Sequence, residues 1–226
     1  WTNFRADNGI SGEIVFAVPQ DGEKTRTWGG TTFLVHAGVG GDMNEADWGI
    51  DGGWWGLRTT PEFVNLFPGG AETTDGRVDF WTGTCNGQPH SLEVNSITDF
   101  CNGYPVPKYT NLNSAGAQGS NPTFPDTDFP MFRLADAYLM YAEVVARGGG
   151  GSVAQAVQYV NALRERAYGG AGQNITAEDL TLDFILDERA RELYWEGHLG
   201  DPGEPEPDAE SRLLIRGGAG ISRTDP

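Results

Sequence analysis

Two adjacent tryptophans, Trp54 and Trp55, stand between glycines in the segment Asp51-Gly-Gly-Trp-Trp-Gly-Leu-Arg-Thr-Thr-Pro-Glu-Phe63. Sugar rings stack on aromatic faces, and flanking glycines let a ligand approach the backbone closely. An exposed pair also makes an apolar patch of the kind that marks a binding site or an interface. The opposite reading is a wedge that fills a core the loop alone could not fill. Trp81, in Val78-Asp-Phe-Trp-Thr-Gly83, is a further stacking candidate, whereas Trp28 and Trp195 read as packing residues.

Other chemistries are less well specified. Asp42, Asn44, Glu45 and Asp47 offer oxygen ligands suited to calcium. Ala46 breaks the EF-hand pattern, so a solvated loop is expected there, with calcium as the alternative. Hydrolysis of a glycosidic bond needs two carboxyl groups about 5 to 9 Å apart, and nothing in the sequence fixes any two of Asp47, Asp51, Glu62 and Asp75 on facing elements. His36, His90 and His198 are scattered, and Ser91 beside His90 lacks a nucleophile elbow. No residue is assigned a catalytic role. Cys85 and Cys101 are the only cysteines; an exported protein would pair them, and a cytosolic one would keep two inert thiols.

Charge excludes one class of partner. The 226 residues include 32 acidic and 15 basic side chains, a formal net charge of −17. Phosphate backbones require a basic face, so nucleic acid is not an expected partner. With 33 glycines and 13 prolines, crowded before residue 130, the chain should contain long loops. No apolar run reaches the 18 residues or so that a spanning helix needs.

Periodicity indicates the elements that must position these side chains. Gly12-Glu-Ile-Val-Phe-Ala-Val18 and Gly30-Thr-Thr-Phe-Leu-Val-His36 read as short strands, and residues 38–60 as a glycine-rich loop. Thr60 is the N-cap of a short helix that has Pro61 at its first position. Residues 131–147 place Leu134, Tyr138, Tyr141 and Val145 at helical spacing, and the other faces are nearly as apolar, which predicts a helix buried on more than one side. Ser152 and Gln155 form a capping box for a second helix striped by Val153, Val157, Val160, Leu163 and Ala167. The two should pack as an antiparallel hairpin. A third helix starts near Thr181 with Leu182, Ile185, Leu186, Arg189, Ala190 and Leu193 on one face, while Asp187 and Arg191 pair toward solvent. The hairpin is tetratricopeptide-like in size, without a repeated period. The expected organisation is a loop-rich region over 1–130 with short strands and one short helix, a helical region over 131–198, and an unrelated or disordered tail over 199–226.

Several blocks, taken in order, carry a resemblance. They are Trp28-Gly-Gly-Thr-Thr-Phe-Leu-Val-His36, Trp55 through Phe67, Lys108-Tyr-Thr-Asn111, Phe132 through Glu143, Tyr159 through Arg166, and Leu182 to Glu196-Gly-His198. Together they resemble the SusD/RagB family of outer-membrane lipoproteins of Bacteroidetes. After Glu-Gly-His the family continues with a basic and aromatic stretch, whereas here a Gly/Pro/Glu run follows. The resemblance implies a mainly α SusD-like fold with long irregular loops, a tetratricopeptide-like hairpin and a loop-rich glycan-binding region. It also implies the C-terminal portion of a longer protein, lipid-anchored at the cell surface through its N-terminal half. Such a protein would bind oligosaccharide or starch-like polysaccharide without turnover, and deliver it to a SusC-like TonB-dependent transporter. No cofactor is implied. Export would make Cys85 and Cys101 a disulfide. Trp54, just outside a shared block, becomes the preferred ligand contact; Trp55, inside the block, and Trp81 follow. An extracellular carbohydrate-active enzyme and a tetratricopeptide-like adapter remain the alternatives.

Overall fold

Three amphipathic sequences near the C-terminal end form the helical part of the molecule. The structure, a computed structural model, describes residues 2–197; the expectations for Trp1, His198 and the tail over 199–226 lie outside the described residues. Helices α3 (Leu134–Ala146), α4 (Val153–Tyr168) and α5 (Leu182–Leu193) are preceded by two short ones, α1 (Thr31–Ala37) and α2 (Pro61–Asn65). Strand β1 (Ile14–Val18) pairs antiparallel with β4 (Phe129–Arg133), and β2 (Thr84–Cys85) pairs with β3 (Gln88–Pro89). Long irregular segments join these elements, as the glycine and proline content requires.

The helical end follows from its caps and stripes. Ser152 accepts from the Gln155 amide and Thr181 from the Phe184 amide, each satisfying one orphan donor of a first turn. The Ser152 box is only half made, because the Ser152 amide donates to the Tyr141 hydroxyl at 2.9 Å and not to the Gln155 side chain. Ala135, Leu139 and Ala142 of α3 meet Ala156, Val160 and Leu163 of α4, and Ile185 and Leu193 of α5 close the core. The small alanines let the backbones approach, and Tyr138 stacks on Tyr159 with centroids 4.2 Å apart.

Three expectations are corrected. Gly30–His36 is not a strand: Thr31–Ala37 forms α1, with Thr31, Thr32, Val35, His36 and Ala37 all buried. Burial of that helical set overrides the strand preference of its threonines and valine. The long helix starts at Leu134 and not Met131, because Phe129–Arg133 is drawn out to pair with β1. Its outer arc, Leu134, Ala137, Met140 and Val144, is exposed and wholly apolar, so α3 is buried on one side only among the described residues. Finally, Arg191 does not pair with Asp187 at the surface. It turns inward to Glu188 at 2.8 Å and donates to the Leu66 carbonyl.

That inward turn belongs to a buried ion network joining the loop-rich and helical regions. Arg77 binds Asp75 and Glu188, and Arg133 binds Glu192, Glu196 and Glu13. Lys108 donates to Glu196 and to the carbonyls of Glu192 and Tyr194. Burial pushes the Lys108 ammonium down to about 8 against the pull of Glu196. Arg189 bridges to Asp136 at 2.9 Å, tying α5 to α3.

Candidate functional site

The glycine-rich segment around the two tryptophans is zipped onto the C-terminal end of α1. A helix end leaves carbonyls without partners, and this segment supplies them: Trp54 N donates to His36 O at 2.8 Å, Trp55 N to Val39 O at 3.1 Å, and Gly56 N to Ala37 O at 2.9 Å. The close approach explains Gly53, where a β-carbon would lie 2.4 Å from Val39 O. Trp55 takes a left-handed backbone, φ +58°, a rare conformation for a bulky residue.

Consecutive side chains thereby join different aromatic groups. Trp54 stacks on His36 with centroids 4.8 Å apart and planes inclined by 21°, and also meets Trp28 at 6.0 Å and Phe33 at 6.4 Å. Trp28 reaches on to Phe124 at 4.9 Å, and the Arg26 guanidinium covers that ring. The result is a shelf of four rings from three chain segments, residues 26–36, 51–55 and 121–124. Trp28 is 64% exposed, Phe33 44% and Trp54 38%. An apolar surface of this kind, held by buried backbone contacts, is suited to stacking against a ligand with a flat apolar face.

Trp28 is therefore exposed at the shelf and is not a packing residue. Trp195 is half-buried between two cores, as a packing residue should be. Trp55 leans on Phe100 at 5.7 Å and lies over Gly40, where a β-carbon would sit 2.7 Å from its ring. Trp81 is half-buried against Trp48, and its indole N–H has no partner among the described residues. Among the described residues it shares no ring contact with Trp28 or Trp54. The structure thus brings Trp54 together with three rings that sequence reasoning did not assign to a site. One signal was available: Trp28 and Phe33 flank a glycine pair, the same arrangement that drew attention to Trp54.

Other candidates fare differently. Cys85 and Cys101 are joined in a disulfide, with Cα atoms 5.4 Å apart. Asp42 accepts from the Gly87 amide, while Asn44 donates to Asp47. Among the described residues no group of three or more His, Cys, Asp or Glu side chains is placed to hold a metal ion. A concavity of about 220 Å3 lies over the ion network, lined by Asn3, Glu13, Arg77, Arg133, Arg166 and Glu192. Its charges are paired with one another. Burial would raise Glu13 and Glu192, but the surrounding arginines hold both below the usual carboxylate range. A glycosidase acid requires a carboxyl held up, not down.

Helices at one end joined to long irregular loops make a fold that solved structures share. A SusD superfamily protein from Parabacteroides distasonis matches with a TM-score of 0.59 at 21% identity, over 88% of this chain and 40% of that one. A surface glycan-binding protein A from Bacteroides thetaiotaomicron, solved with laminarihexaose, matches with a TM-score of 0.58 at 20% identity, over 96% of this chain and 45% of that one. In sequence, the starch-binding protein SusD of Bacteroides thetaiotaomicron is 30% identical over 86% of this chain. The SusD family model matches residues 82–201. The chain belongs to the SusD family, and it spans 41% of the length of that curated relative.

Proposed function

We propose that this chain binds a glycan without turning it over, using the shelf formed by Trp28, Phe33, Trp54 and Phe124. The observation that carries the reading is the exposure of Trp28 and Trp54 side by side, on a backbone fixed to the end of α1. Sugar C–H faces stack on such rings, and no cofactor is needed. A starch-binding relative and a laminarihexaose-bound neighbour support a glucan as the first ligand to test. In the full-length protein the shelf would serve at the outer surface of a lipid-anchored outer-membrane protein, which hands its ligand to a SusC-like TonB-dependent transporter. Trp55 and Trp81 are supporting residues in this reading, with Trp54 the direct contact.

Affinity electrophoresis through gels cast with starch, laminarin or other neutral polysaccharides tests it. Retardation on at least one polymer, abolished in Trp54→Ala and Trp28→Ala with the thermal transition kept, is the expected result. Unretarded migration on every polymer counts against the shelf. Release of reducing sugar from a retained polymer would favour the enzyme alternative.

A further inference from the structure

The ring beneath the shelf is His36, and its two nitrogens face two different loops. Nδ1 lies 2.5 Å from the Gly52 carbonyl oxygen and Nε2 lies 2.9 Å from the Thr123 carbonyl oxygen. The residue is 1% exposed. A neutral imidazole carries one N–H and one lone pair, so one of these contacts would set a lone pair against a carbonyl oxygen. Only the imidazolium donates to both. The indole face of Trp54, stacked at 4.8 Å, offers a third favourable contact to a cation.

Resting on the glycan-binding reading above, we infer that His36 is the positioning residue of the shelf: a protonated cross-link that holds the Gly52 loop and the Thr123 loop together beneath Trp54. The two loops carry Trp54 and Phe124, and Trp28 meets both rings. A ring with a single N–H could donate to only one of the two carbonyls. The ionisable groups on the surrounding elements are Asp51, which accepts from the Thr123 hydroxyl, and Arg26, which covers Phe124 and is held by Glu23 at 2.9 Å. Asp51 is a second tie between the same loops, so the carboxylate and the imidazolium act together. Ligand affinity should therefore depend on His36 donating to both carbonyls.

The chain has three histidines, which makes a direct test practical. Histidine-labelled protein is followed by 15N NMR from about pH 5 to about pH 9, with the His36 signals assigned by their absence in His36→Gln. Polysaccharide affinity is measured over the same range for both proteins and for Asp51→Asn. The expected result has both ring nitrogens of His36 protonated at the acid end. His36→Gln should bind about tenfold more weakly than the wild type, the scale of one charged hydrogen bond. A ring with a single N–H down to about pH 5 overturns the inference whether or not glycan binds. So does a His36→Gln affinity equal to that of the wild type. If no polysaccharide binds at any pH, the shelf reading fails and takes this role with it, while the nitrogen shifts still decide the protonation state.

Discussion

Trp54 and Trp55 are consecutive, yet one stacks on His36 at 4.8 Å in the exposed shelf while the other leans on Phe100 at 5.7 Å over a bare glycine. The left-handed backbone at Trp55 separates them. Adjacent residues of one type therefore face different neighbours, and in the proposed reading Trp54 is the ligand contact while Trp55 supports the loop.

This division predicts different failures. Trp55→Ala removes a ring that is 43% exposed but leans on Phe100 and covers Gly40, and should cost about 1 kcal/mol of stability, well below the core value because much of the ring is in solvent. Urea unfolding measures it. Trp28→Ala should change stability by about 0.5 kcal/mol or less, since its ring is mostly exposed.

The buried ion network predicts sensitivity at Glu188, which receives Arg77, Arg164 and Arg191 together. Glu188→Gln leaves three guanidinium groups short of a charge and should cost about 3 to 5 kcal/mol. A loss below about 1 kcal/mol in denaturant titration would show that the network contributes little.

Acid should unfold the protein through the same groups. Burial would raise Glu188 and Asp75, but neighbouring arginines hold both below their usual values, and they hold Glu13 and Glu192 down as well. A carboxylate depressed in the folded state contributes stability above the unfolded pKa of about 4 and loses it as the pH falls further. Thermal midpoints should drop steeply below about pH 4, and Glu188→Gln should flatten that drop.

The disulfide makes a local prediction. Cys85 and Cys101 close a loop whose residues are 16 apart in sequence, worth about 3 kcal/mol in the chain-entropy account. Reduction should lower the thermal midpoint and increase proteolytic cleavage within residues 86–100, with α3 to α5 unaffected. Equal cleavage before and after reduction would count against it.

Much of the helical end was legible because its signals are local. Ser152 and Thr181 announce their helices within three residues, and the stripe of α4 holds at Val160, Leu163 and Ala167. Long-range partners carry no such signal. Arg77 meets Glu188 across 111 residues, so Arg191 looked free to pair with Asp187 at the surface. Threonine and valine in Thr31–Ala37 spoke for a strand, and only the burial of that segment, with residues 54–57 bonded to its end, makes it helical. The shelf was half legible: the glycines pointed to Trp54, whereas Trp28 and Phe124 arrive from distant segments and His36 read as an ordinary lone histidine.

Affinity electrophoresis of the wild type beside Trp54→Ala, on starch and on laminarin, tests the central claim most directly. The account predicts retardation of the wild type on at least one of the two polymers, lost in the variant while its thermal transition persists. Equal retardation of both proteins, with folding intact, would place the glycan elsewhere on the molecule and contradict the shelf.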